Sequence, residues 1–102
     1  MYPEIDCKKT GQNLYLLMSE RNLSVNSIQE YFGFTNPQAV YNWLHGKALP
    51  SVRHLYALSR LLGISIDDII VGYDDDVVVL FFSNIFLRLL QYVKYQTIKV
   101  II

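Results

Sequence analysis

The stretch from Leu23 to Ser51, L-S-V-N-S-I-Q-E-Y-F-G-F-T-N-P-Q-A-V-Y-N-W-L-H-G-K-A-L-P-S, constrains this chain most, because it is punctuated as two short helices around a tight turn. Ser24 stands just ahead of Val25 and Ile28 and offers an N-cap hydroxyl, so a helix begins near Val25. Phe32 continues its apolar face, and Gly33 supplies the residue that closes a helix in the left-handed conformation. Thr35 or Asn36 caps the next helix, and Pro37 fits its first turn, where a missing N–H is no loss. Val40, Trp43 and Leu44 then face inward at three- and four-residue spacing, and Gly46 ends the helix. Gln38, Ala39, Tyr41 and Asn42 are left pointing outward.

Two amides on an exposed helical face have a specific chemical use, since Gln and Asn each make paired hydrogen bonds to an adenine edge in a DNA major groove. The surrounding sequence supplies the rest of a small bundle. A first helix ends near Arg21, with Leu14, Leu17 and Met18 on its core side. A fourth runs from Val52 to Leu62, capped by Ser51, striped by Leu55, Leu58 and Leu62, and stopped by Gly63. A fifth starts after Ser65, where Asp68 stands at capping-box spacing and Ile66, Ile69 and Ile70 close over the core.

This arrangement resembles the phage-repressor-like helix-turn-helix family, also called Cro or XRE type, over roughly residues 6 to 72. The likeness is carried by the glycine turn at Gly33, W-x-x-G at Trp43 to Gly46, K-x-x-P-S at Lys47 to Ser51, and L-L-G-I-S-I-D-D-I-I ending at Ile70. It departs from the family pattern in two places. The turn G-F-T-N-P-Q is one residue longer, which leaves the entry angle of the reading helix open. Where the family usually has an Arg late in helix 1 and a Glu after the Trp, this chain has Met18 and Leu44. If these touch, an apolar contact replaces a partly buried ion pair, an exchange that is often neutral or stabilising because no charge is desolvated.

The resemblance implies a sequence-specific DNA-binding regulator, with repression as the default output. Gln38, Ala39, Tyr41 and Asn42 would meet the bases. The backbone N–H groups of Val25 and Asn26, with His45, Lys47 and Arg53, would meet the DNA backbone, and Lys8 and Lys9 are further phosphate candidates. The alternative for these basic residues is solvated surface. Double-stranded DNA and a second copy of the chain are the expected partners, because two-fold-related helices reach successive major grooves when roughly 34 Å apart.

The 102 residues carry no net charge, so no broad positive field holds nucleic acid, and affinity must come from local patches or dimerisation. Cys7 is the only cysteine, which excludes an internal disulfide. Tyr2, Pro3, Glu4 and Asp6 do not compose a secretory signal, and the expected location is cytoplasmic. His45 and His54 belong to different helices and no nucleophile or phosphate-loop motif occurs, so neither catalysis, a cofactor nor a metal is expected.

Residues 73 to 102 form a hydrophobic extension that the resemblance does not cover. Asp74, Asp75 and Asp76 read as a solvated turn rather than a metal site. Phe82, Ile85, Phe86, Leu89, Leu90 and Val93 then recur at helical spacing, although Val77 to Phe82 and Thr97 to Ile102 also fit strands. A membrane span needs roughly 20 consecutive apolar residues, and Arg88, Lys94 and Lys99 interrupt too early. The segment would therefore cover the bundle or join two copies. The expectation is an all-α, five-helix repressor-like DNA-binding bundle over 1–72, with an additional helical hydrophobic segment, 73–102, that is not an independent domain. The rival is a protein-interaction module of the same fold, an antitoxin-like partner that uses the tail.

Overall fold

The computed structural model describes residues 2–75, and the expectations for the later tail lie outside them. Among the described residues the chain is all-α: α1 (Cys7–Glu20), α2 (Val25–Phe32), α3 (Gln38–Leu44) and α4 (Val52–Leu62), followed by a single 3-10 turn, Ile66–Asp68. None of these helices is long and apolar enough to cross a membrane.

The helix starts follow the capping chemistry of the sequence. Asp6 Oδ1 accepts from Lys9 N–H at 2.9 Å at the head of α1. Ser24 and Ser27 form a reciprocal capping box on α2, and Ser51 Oγ accepts from His54 N–H at 3.3 Å on α4. Asn36 Oδ1 accepts from Gln38 N–H at 3.0 Å, so Asn36 holds the start of α3 across Pro37. At the far end of α2, Gly33 adopts φ 71°, and Phe34 N–H reaches back to Gln29 O at 3.0 Å.

The core gathers the expected apolar faces: Leu14, Leu17 and Met18 of α1, Ile28 of α2, Val40 and Trp43 of α3, and Leu55, Leu58 and Leu62 of α4. Each such side chain, fully buried, contributes about 1.5–3 kcal/mol. Arg21 closes one end, where Nε donates to Leu62 O at 2.7 Å and Nη1 to Leu17 O at 3.0 Å, so one guanidinium satisfies carbonyls from two helices. Its partial burial lowers the guanidinium pKa from the usual value through desolvation.

The expected fifth helix is only the 3-10 turn, and α1 explains why it stops. Asn13, fully buried, donates Nδ2 to Asp68 O at 2.8 Å and Ile69 O at 3.0 Å, capturing carbonyls that a continuing helix would need. Thr10 Oγ1 accepts from Val71 N–H at 3.0 Å, and Tyr73 N–H turns to Glu4 O at 3.2 Å. The chain there is extended and makes an antiparallel bridge between Ile5 and Gly72. Ile69 and Val71 are accordingly fully buried, while Ile66 and Ile70 pack only partly against the core. Ser65 does meet Asp68, but side chain to side chain at 3.1 Å rather than in a full capping box.

The substitution Thr10→Val tests this clamp. It keeps the shape but leaves the buried Val71 N–H without its acceptor, and should cost about 2 kcal/mol, read as a lower urea midpoint of unfolding.

Candidate nucleic-acid interface

Two glycines determine where α3 sits. A Cβ built on Gly11 would lie 2.4 Å from Trp43 O and 2.6 Å from Leu44 O, so α1 rests directly on the backbone at the end of α3. Gly46, at φ 72°, meets the Lys8 backbone in the same way, with a built Cβ 2.6 Å from Lys8 Cα. Only a residue lacking Cβ permits either approach. Trp43 and Val40 meanwhile anchor the inner side of α3 in the core.

The turn before α3 is held by rings. Phe34 stacks on Phe32 at 5.1 Å between centroids and meets Trp43 edge-on at 6.0 Å. His54 of α4 packs against all three, at 5.1 Å from Phe32, 5.5 Å from Phe34 and 5.4 Å from Trp43. Gln29 Nε2 also donates to Phe34 O at 3.2 Å. The turn is thus tied to an aromatic cluster that spans α2, α3 and α4 and fixes the approach of α3.

On the outward face, Gln38 Nε2 donates to Asn42 Oδ1 at 3.0 Å. This bond orients both amides and leaves Gln38 Oε1, one Gln38 N–H and both Asn42 N–H groups for an outside partner. Tyr41 is exposed and stacks with His45 at 6.0 Å and an interplanar angle of 20°, one turn along the same side. Ala39 is half-buried and packs against the core, so the outward row is narrower than the sequence implied. Leu44, also half-buried, lines a groove against α1, with Tyr41 and His45 on the same wall. Met18 lies in the core. Met18 and Leu44 therefore belong to one packed apolar unit.

The backbone candidates fall into three groups. Lys8 lies against Gly46, which brings it beside Lys47 at the end of α3, and both lysines are exposed. Val25 and Asn26 open α2, and their N–H groups take no partner among the described residues. Arg53 is exposed in the first turn of α4. Lys9 is different: its Nζ donates to Tyr73 O at 2.7 Å and Asp75 O at 3.0 Å, so two of its three ammonium donors are taken by the protein's own backbone.

Sequence reasoning passed over Gly11, Thr10 and Asn13, which position the site without touching a ligand. A glycine inside a helix is the one signal that could have found the first, because it costs roughly 1 kcal/mol relative to alanine unless something approaches closely. Asp75 Oδ2 accepts from Gly72 N–H at 2.9 Å, so one of the three adjacent carboxylates is occupied in holding a turn. Among the described residues no group of side chains has the make-up of a metal site.

A helix-turn-helix family model matches residues 14–69, from the middle of α1 to just past the 3-10 turn. No curated protein and no solved structure matches the chain.

Proposed function

We propose that this chain, which belongs to the helix-turn-helix family of the Cro/XRE type, is a sequence-specific transcriptional repressor that reads the major groove with α3. The observation that carries this reading is the coupled amide pair Gln38–Asn42 on the exposed face of a helix whose other side is fixed to α1. In this reading the pair contacts base edges. Tyr41 packs on a thymine methyl, with Ala39 at the margin of the contact.

The DNA backbone would be met on both sides of the reading helix. The positive end of α2 offers the N–H groups of Val25 and Asn26 to one phosphate. Lys47, with Lys8 beside it, together with His45 and Arg53, would neutralise others. Residues 1–72 would form the DNA-binding unit, and the hydrophobic segment 73–102 would serve it as an extension. A homodimer would place two α3 helices one DNA turn apart, on a site with two-fold symmetry, and DNA as partner implies a cytoplasmic setting. Repression would follow from occupying that site.

Lys47 gives a test that separates positioning from reading. Lys47→Ala should weaken binding to all duplexes alike and reduce the slope of log affinity against log salt by about one unit, measured by fluorescence anisotropy across a salt series. Loss confined to one sequence would place Lys47 at a base instead.

A further inference from the structure

The groove between α1 and α3 borders the proposed DNA-reading face at Val25, Tyr41 and His45 and runs from there onto α1. It is open to solvent and offers about 610 Å³, and its walls include Tyr15 and Leu16 of α1, Val25 of α2, and Tyr41 and Leu44 of α3. Among the described residues no wall residue is a carboxylate, a lysine or an arginine. Tyr15 and Tyr41 are exposed among the described residues, and Leu16 and Leu44 are half-buried. A groove of this composition calls for an uncharged apolar occupant.

We infer that the occupant is this chain's own hydrophobic segment, residues 77–87. The first argument is where the described chain ends. Lys9 holds the carbonyls of Tyr73 and Asp75, and Gly72 is bridged to Ile5, so the chain leaves the bundle beside the first turn of α1. Lys9, Gln12 and Leu16 stand at i, i+3 and i+7 and share one side of α1, and Gln12 and Leu16 line the groove. Its α1 wall therefore begins about 4.5 Å along the helix from the point of exit. Residues 76 to 81, fully extended, span about 20 Å, so reach is ample.

The second argument is chemical complementarity. Val77 to Leu87 reads V-V-V-L-F-F-S-N-I-F-L and contains no charged side chain, while Asp75, two residues before it, lies against Lys9, whose Nζ donates to the Asp75 carbonyl. Acidic and apolar portions of the segment thus follow the basic and apolar portions of the surface in the same order. A second copy offers the same chemistry, but a segment tethered this closely acts at an effective concentration of about millimolar, well above a free partner. Since Tyr41 and His45 also border the outward row of α3, the docked segment forms the flank of that row. The docking does not depend on the DNA reading and is tested without DNA.

The experiment uses the full chain with Phe86 replaced by the photoreactive amino acid p-benzoylphenylalanine, as an equal mixture of ¹⁵N-labelled and unlabelled protein. After irradiation, cross-linked peptides are identified by mass. Docking predicts cross-links to the peptides containing Tyr15 and Leu16 or Tyr41 to His45, with both halves carrying the same isotope. Adding Leu16→Asp should then cut the yield at least about fivefold while the circular dichroism spectrum is kept, because apolar side chains cannot bury that carboxylate favourably. Isotopically mixed cross-links would make a second copy the occupant. Cross-links elsewhere, none at all, or a yield unaffected by Leu16→Asp in folded protein would equally overturn the inference.

Discussion

Replacing Gly11 with alanine should lower the thermal unfolding midpoint of the full chain by about 10 °C. The added Cβ would stand 2.4 Å and 2.6 Å from the carbonyl oxygens of Trp43 and Leu44, and neither backbone atom can rotate away as a side-chain tip could. Relief requires α1 and α3 to separate, at an overpacking cost of about 3 kcal/mol, from which the better helix propensity of alanine recovers about 1 kcal/mol. A net loss of about 2 kcal/mol in a bundle of this size corresponds to that shift in midpoint. The same displacement moves Gln38 and Asn42, so DNA affinity should fall even at a temperature where the variant is fully folded. A thermal melt by circular dichroism reads the first effect and anisotropy at low temperature the second. An unchanged midpoint would mean that the two backbones are not held at this separation.

The second large effect concerns specificity. Gln38→Ala and Asn42→Ala should each reduce discrimination between the preferred duplex and a scrambled one by about 1–3 kcal/mol, the worth of a good bidentate contact. Because Gln38 Nε2 donates to Asn42 Oδ1 at 3.0 Å, each amide orients the other, and removing one also releases its neighbour. The double variant should therefore lose less than the sum of the two, by roughly 1 kcal/mol. Anisotropy titrations of the four proteins on both duplexes close this cycle. Strict additivity would show that the amides act separately, and equal weakening on both duplexes would remove them from base reading.

The glycine turn, the caps at Ser24 and Ser51, and the leucine and isoleucine stripes of α1, α2 and α4 were legible because each rests on interactions within about four residues of sequence. The outward position of Gln38 and Asn42 followed from the same helical geometry. The fifth helix was not legible as a 3-10 turn, because what stops it lies far away in sequence: Asn13 and Thr10 take its backbone groups across more than fifty intervening residues. Polar side chains at these core positions look like surface in an apolar pattern, and only the fold shows that they face buried backbone. The contacts of Lys9 were not legible for the same reason, since nothing local reveals that Tyr73 and Asp75 return to it. Phe34 read as part of an overlong turn, yet its ring completes the cluster with Phe32, Trp43 and His54 that sets the direction of α3.

The most direct test of the account is selection of bound duplexes from a random DNA pool by the full-length protein at near-physiological salt, run in parallel with the Gln38→Ala, Asn42→Ala double variant. Reading by α3 predicts an enriched site for the native chain, built as two inverted half-sites about 10 base pairs apart, and loss of that enrichment in the double variant. A folded native chain that enriches no sequence, or a double variant that enriches the same one, would contradict it.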